Sequence, residues 1–347
     1  MQSEALAGCL IGTAVGDALG LPYEGLAPRR AQRLLGPPDR YRFLFGHGMV
    51  SDDTDHACLV AQSLIAAGGD SAKFQRELAR RLRWWLAALP AGVGLATARA
   101  IFRLWLGFKP ERSGVFSAGN GPAMRSPLLG VAIEDPQQLR DFVRRNTRLT
   151  HTDPKAEWGA LAVAIAARIS SRAEVVDPAG FLRELKTALQ GEPTDDLLTR
   201  VEQAVAGLST FQSVAEFAAS QGCGRGVSGY VNHTVPVAIH AWLRFPDNYA
   251  AAVQAVVECG GDTDTTAAIT GGIVGARVGV QGIPAVWRER LCEWPRTLFW
   301  MERLARQLSD PTVTSPPEVC WTAIVPRNLF FLACVLTHGV RRLLRPY

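Results

Sequence analysis

The sequence predicts an all-α protein, a single compact multi-helix domain, and three observations carry the prediction. No stretch alternates apolar and polar residues over enough positions to build a half-buried strand. Apolar residues instead recur three and four positions apart in one segment after another. Two of those segments carry glycine at every fourth position, Gly8, Gly12 and Gly16 early and Gly271, Gly275 and Gly279 late. On a helix such a row is a flat stripe that lets a neighbouring helix approach closely. With 347 residues, 48% hydrophobic and 20% charged, the chain has ample material for one large core. We expect that domain to span residues 1–309 and to be followed, over 310–347, by a linker and an apolar, then basic, appendage.

In chain order, residues 4–18 have helical apolar spacing, with Asp17 near their end, and Pro22 and Gly25 then mark an irregular loop that carries Glu24. A loop glutamate is ordinarily solvated. Ser51-Asp52-Asp53-Thr54-Asp55-His56 follows a glycine pair and leads straight into an apolar helix. Residues 70–106 form Trp/Leu/Ala-rich helical scaffold, broken at Pro90. The glycine-rich loop over 113–127 allows two readings. Its backbone N–H groups, with Ser117 and Asn120, form either a phosphate cradle ahead of a helix opened by Pro122, or a plain loop. Asp153-Pro154 starts an Ala-rich helix, and His151 just before it is either a packed core residue or a site residue. Residues 170–220 are amphipathic and charged, with no visible chemistry.

Gly224-Arg-Gly-Val-Ser-Gly229 fits G-x-G-x-x-G, but no β-branched strand precedes it and no βαβ alternation surrounds it, so a dinucleotide site is discounted. Tyr230 and His233 beside it are candidates for lining a pocket. Helices over 235–245 and 248–258 lead to Gly260-Gly-Asp262-Thr-Asp264-Thr265-Thr, again followed by an apolar helix. Residues 283–287 begin a surface helix and 311–317 form the linker. The last thirty residues make a packing helix, with an interfacial or partner-docking helix as the lesser reading. Their apolar run over 329–336 is too short to span a bilayer.

The two Asp/hydroxyl clusters share one plan. A single Asp or Thr suffices to cap a helix, whereas each cluster has several oxygens at an N-terminus. The late stretch alone is balanced between a cap and a metal or polar-ligand site. An EF-hand loop is excluded, because counting from Asp262 puts Ala267 and Ile273 where that loop needs Gly and Glu. If the two helix N-termini meet, Asp52, Asp53, Asp262 and Asp264 converge, and four carboxylates in one cleft repel unless cations separate them. Such oxygen donors suit Mg2+ or Mn2+, and four carboxylates suit a two-metal centre, so we expect a dinuclear metal cleft at the helix N-termini. His56 and Cys259 stand alone among oxygens and are expected to pack rather than ligate.

Net charge is +5, but the cations are scattered arginines, not a stripe, so no stable nucleic-acid complex is expected. Seven dispersed cysteines without a C-x-x-C pair, and no basic segment ahead of the first apolar run, make the expectation a cytoplasmic monomer without a transmembrane segment.

Five pieces, in order, resemble the ADP-ribosylglycohydrolase family, the group of dinitrogenase reductase-activating glycohydrolase and the ADP-ribosyl-acceptor hydrolases. They are Gly8-Cys-Leu-Ile-Gly-Thr-Ala-Val-Gly-Asp-Ala-Leu-Gly-Leu-Pro-Tyr-Glu24, Ser51-Asp-Asp-Thr54, Gly119-Asn-Gly-Pro-Ala-Met-Arg125, Thr150-His-Thr-Asp-Pro154 and Gly260-Gly-Asp-Thr-Asp-Thr265. The resemblance covers roughly residues 5–290 and implies an all-helical fold with two Mg2+ or Mn2+ ions. It implies Ser51, Asp52, Asp53, Asp262, Asp264 and Thr265 as metal ligands, Ser51 standing where some members have Thr. Glu24 would lie on a mobile loop by the metals as a ligand or in acid/base work; Glu24, Asp53 and Asp264 are the candidate catalytic carboxylates. Ser117, Gly119, Asn120, Gly121 and His151 would hold the ADP-ribose diphosphate and ribose, and Tyr230 would help shape the acceptor pocket near Glu24. The implied reaction hydrolyses the bond from C1 of the distal ribose to an acceptor side chain, with the ribose diol on the metals and a metal-activated water or a ring-opening step. The substrate is an ADP-ribosylated protein, or a small-molecule or nucleic-acid ADP-ribose conjugate. The rival is a non-catalytic ADP-ribose-binding or structural relative; retention of all four carboxylates favours the enzyme.

Overall fold

A computed structural model describes residues 2–343 of the chain. Its helices are α1 (Gln2–Gly20), α2 (Pro28–Leu35), α3 (Asp52–Ala67), α4 (Ser71–Ala87), α5 (Leu95–Trp105), α6 (Gly121–Met124), α7 (Ser126–Ala132), α8 (Pro136–Arg148), α9 (Pro154–Arg172), α10 (Pro178–Ala188), α11 (Asp195–Ser209), α12 (Val214–Ala218), α13 (Val231–Arg244), α14 (Tyr249–Val257), α15 (Thr263–Val278), α16 (Ala285–Glu289), α17 (Leu298–Leu308) and α18 (Trp321–Leu343). Among the described residues no named strand forms, and only isolated bridges link loops. The all-helical expectation holds.

The two glycine stripes meet. A methyl group built on Gly8, Gly12, Gly16 or Gly20 would overlap the carbonyl oxygen of Gly275, Gly271, Ala267 or Thr263 respectively, and one on Gly271 or Gly275 would strike that of Gly12 or Gly8. The residue numbers rise along one helix as they fall along the other, so α1 and α15 run antiparallel with their backbones in direct contact. Glycine is required here for closeness, not for backbone freedom. Every residue of α1 from Leu6 to Gly20 is buried, with α7, α9, α13, α14 and α17 around the pair. One consequence is functional: the C-terminal end of α1 is fixed beside the N-terminus of α15, where Thr263 Oγ1 donates to the Gly20 carbonyl at 2.9 Å.

Two segments are long and apolar enough to cross a membrane by length and composition. The apolar window within Gln2–Tyr23 is wholly buried, as the core helix and the turn after it. The other is α18, whose apolar window is only 28% buried, and here the sequence reading is corrected. The apolar run over 329–336 underestimates this element, because polar Arg327, Asn328 and His338 interrupt the pattern without interrupting the helix. Those three are buried against the body: Arg327 pairs with Glu293 and donates to the Val50 carbonyl at 2.7 Å, Asn328 donates to that of Ala88 at 2.7 Å, and His338 Nε2 lies 2.9 Å from that of Pro22. Residues 310–320 are irregular, and the end of the appendage, 344–347, lies outside the described residues.

Candidate active site

Asp17, buried in the last turns of α1, anchors the start of α3. Its carboxylate accepts from the Ser51 N–H at 2.9 and 3.0 Å, from the Thr54 N–H at 3.2 Å and from the Thr54 hydroxyl at 2.5 Å. Burial raises this carboxyl to about 7, although the hydrogen bonds pull the other way. Ser51 is the N-cap, its Oγ accepting from the Asp53 N–H at 3.3 Å. With capping done by Asp17 and Ser51, Asp52 is left to line the cleft and Asp53 lies buried behind it. Asp55 is diverted elsewhere, into a buried pair with Arg296 at 2.7 Å and a bond from Trp85 Nε1 at 2.9 Å.

At the start of α15, Asp262 occupies the cap position, yet its side chain makes no capping bond. Its Oδ2 instead accepts from Asn120 Nδ2 at 2.7 Å. The two helix N-termini do meet: Thr265 Oγ1 from α15 and Ser51 Oγ each donate to Asp53 Oδ2 at 3.2 Å. Asp53 Oδ1 is buried and has no hydrogen-bond partner. Burial, and after it the charges of neighbouring carboxylates, push Asp52, Asp53 and Asp264 well above the usual range. No arginine or lysine forms an ion pair with any of them among the described residues. The side chains do not form a closed cage, since no three His, Cys, Asp or Glu groups among the described residues converge as a ready ligand set.

Opposite the carboxylates lies the glycine loop. Asn120 also donates through Nδ2 to Thr234 Oγ1 at 3.0 Å, and its N–H donates to the Gly229 carbonyl at 3.0 Å. His151 Nδ1 lies 2.9 Å from Thr150 Oγ1, which buried Arg125 holds from its other side at 2.7 Å. The imidazole sits against two glycines: a Cβ on Gly119 would lie 3.0 Å from Nε2 and one on Gly121 3.1 Å from Cε1. Burial, then Arg125, lowers His151 to about 3, so the ring is neutral at physiological pH.

A cavity of about 590 Å³ joins the two halves. Of the residues singled out from the sequence, Glu24, Asp52, Asp262, Asp264, Thr265, Ser117, Gly119, Asn120, Gly121 and His151 line it. Ser51 and Asp53 lie buried just behind. Tyr230 does not line it: its hydroxyl donates to Asp196 at 3.2 Å and its ring meets His233 edge-on. His56 packs edge-on against Trp85 with no polar partner, and Cys259 is buried with its thiol toward the Ala255 carbonyl. Glu24 is exposed at the mouth; desolvation of its carboxyl end and Asp262 raise it, and Arg342 opposes them.

Several wall residues escaped the sequence reading. The segment 92–97, with Thr97, forms one side, and its apolar helix concealed it as scaffold. Val227–Gly229 forms another, so the discounted glycine run does reach the cleft, as a clamp. Asp262 N–H donates to the Val227 carbonyl at 2.7 Å and Val227 N–H to that of Gly260 at 2.9 Å. Its signal was glycine density, not the dinucleotide pattern. Asp17 and Arg125 carried no sequence signal beyond their place inside the matched pieces.

The family model described as ADP-ribosylglycohydrolase matches residues 2–317. An uncharacterized protein of Archaeoglobus fulgidus is 31% identical over 317 residues, covering 89% of this chain and 97% of its own. ADP-ribosylhydrolase ARH3 of Gallus gallus is 27% identical, over 82% of this chain and 88% of its own. A solved structure described as an ADP-ribosylglycohydrolase-related protein complex superposes with a TM-score of 0.66 at 26% identity, over 88% of this chain and 97% of that one. The match extends from α1, through both aspartate clusters and the loop between them, to the linker before α18, and on that extent the chain belongs to the ADP-ribosylglycohydrolase family.

Proposed function

We propose that this protein is a metal-dependent hydrolase that removes ADP-ribose from a modified acceptor, cleaving the N- or O-glycosidic bond at C1 of the distal ribose. The observation that carries this reading is the pairing, in one 590 Å³ cavity, of uncompensated buried carboxylates with a neutral histidine–asparagine–glycine wall. Carboxylates buried close together are costly without a counter-charge, and Asp53 Oδ1 is buried with no hydrogen-bond donor. The donors are all carboxylate and hydroxyl oxygens, which fit hard divalent ions. Asp52, Asp53, Asp262 and Asp264, with Ser51 and Thr265, would hold two Mg2+ or Mn2+ ions, whose Lewis acidity and positive charge serve hydrolysis.

The protein's own groups do the rest. Gly119 and Gly121, lacking side chains, let a ligand approach the backbone, and Ser117 and Asn120 offer hydrogen bonds to a diphosphate and ribose. Neutral His151 presents Nε2 as a hydrogen-bonding atom without adding charge. Glu24, at the mouth with a raised carboxyl, is placed to exchange a proton with the acceptor or with water.

The test is release of ADP-ribose from ADP-ribosylated arginine and serine peptides in Mg2+, in Mn2+ and in EDTA. Release with a cation and none in EDTA is expected, and the peptide cleaved names the acceptor. Tight ADP-ribose binding without release from any conjugate would overturn the reading in favour of a binding protein.

A further inference from the structure

The outer face of α18 is the reverse of an ordinary surface helix. Its polar residues Arg327, Asn328 and His338 point inward and are satisfied by the body, while Val325, Leu329, Leu332, Leu336, Val340 and Leu343 are all exposed. Their spacing of four, three, four, four and three keeps them on one stripe, along a helix about 34 Å long. At its N-terminal end the stripe continues into exposed Trp321, Trp84 and Trp105, with Trp84 edge-on to each of the other two and Arg83 over Trp105 at 5.8 Å.

Beside the stripe lies a groove of about 900 Å³ between α2, the turn over residues 40–46 and α18. Leu34, Phe43, Phe330 and Ala333 contribute apolar walls, and Arg40, Arg42, Arg290 and Arg341 also line it; no acidic side chain does. Asp39 nearby pairs with Arg42 and more distantly with Arg40. Arg290 and Arg341 form no ion pair among the described residues. At the rim, Phe45 is 97% exposed and sits at φ 47° on a tight turn closed between Leu44 and His47. A left-handed backbone at a bulky residue is unfavourable, and here it holds an aromatic ring in water.

We propose that this face docks the protein onto an anionic phospholipid bilayer, with α18 lying in the plane of the interface. The lipid phosphates meet the arginines, the stripe and Phe45 enter the acyl boundary, and the tryptophans sit at headgroup depth. Charge decides the occupant: an anionic surface answers the arginines, whereas a second copy of the chain would bring the same groove without an acid to meet them. Docking flat, not spanning, follows from the inward face, because a bilayer span would strip Arg327 from Glu293 and leave it in hydrocarbon.

The full chain should be floated with vesicles of phosphatidylcholine alone and of phosphatidylcholine with equimolar phosphatidylglycerol. Binding at least about tenfold stronger to the anionic vesicles is expected, with release between about 0.1 and 1 M NaCl as charge is screened. The double variant Leu332→Glu/Leu336→Glu should lose that binding with an unchanged melting temperature, since both side chains are exposed; Arg341→Glu should weaken it more modestly. Equal binding to both vesicles, no binding, or retention at high salt would overturn the proposal. So would a lipid-free dimer that the double variant dissolves, which would assign the face to a second copy.

Discussion

The two aspartate clusters look like copies in sequence, and the structure divides them by what neutralises each carboxylate. In the early cluster, Ser51 and the carboxylate of Asp17 take the helix N–H groups, and Asp55 is matched by Arg296 and Trp85. In the late cluster, Asp262 stands at the cap position without capping, and among the described residues neither it nor Asp264 forms an ion pair. An aspartate paired with a buried arginine holds the fold together, and Asp55, three residues from Asp52, is of that kind. Asp52, Asp53, Asp262 and Asp264 have no such partner among the described residues, and on the proposed function they act together across two helices.

Replacing one carboxylate of each kind separates them most sharply. Asp264→Asn should lower turnover by about 10²–10⁴-fold, yet raise the melting temperature measured in EDTA, because a neutral amide removes a buried charge. Asp55→Asn should do the opposite, costing about 3–5 kcal/mol by leaving Arg296 buried and unpaired, with turnover per folded molecule nearly unchanged. Calorimetry and a turnover assay on both variants check this, and equal behaviour would erase the distinction.

A second prediction sharpens the comparison through pH. Asp17, Asp52, Asp53 and Asp264 have folded-state values above those of the unfolded chain. The native state therefore binds more protons, and stability falls as pH rises from the unfolded value near ~4 through the folded values, about 7 for Asp17. In EDTA the melting temperature should drop between about pH 5 and pH 7, by the equivalent of a few kcal/mol. Mg2+ should flatten the part due to Asp52, Asp53 and Asp264, which stay ionised beside a cation, and leave the part due to Asp17. A melting temperature that climbs over this window in EDTA would contradict the description of these groups as uncompensated.

Much of this was legible in sequence because it rests on local rules. Glycine at every fourth position has few uses on a helix, so Gly8–Gly16 and Gly271–Gly279 foretold the α1/α15 seam. Oxygen-rich helix starts exceed what capping needs, so Ser51–Asp53 and Asp262–Thr265 stood out. What was not legible depends on distant partners. Nothing near Asp55 announces Arg296, and nothing near Tyr230 announces that Asp196 and Asn232 draw its hydroxyl out of the cleft. The helix over the last thirty residues was expected chiefly to pack, and its orientation was illegible for another reason: an apolar run ordinarily marks burial in a core, and α18 carries an apolar stripe outward.

That same helix supplies the smallest effect we expect. Glu24 lies at the mouth of the cleft on a turn gripped from two sides. Gly25 N–H donates to the Gly261 carbonyl at 2.7 Å, joining it to the late cluster. From α18, beyond the family-matched residues, Arg342 donates to the Glu24 carbonyl at 2.7 Å and receives Arg30 on its own carbonyl at 3.1 Å. The grip acts on backbone, so it sets where the Glu24 carboxyl stands without touching substrate. An exposed hydrogen bond of this kind contributes about 1 kcal/mol, which corresponds to a roughly fivefold fall in kcat for Arg342→Ala, with KM and melting temperature little changed. Amide exchange at residues 24–26 should quicken in the same variant, and Arg342→Lys should recover part of both. If exchange quickens while kcat holds, Glu24 works from more than one position and needs no help from the C-terminal helix; if neither moves, Gly261 alone fixes the turn.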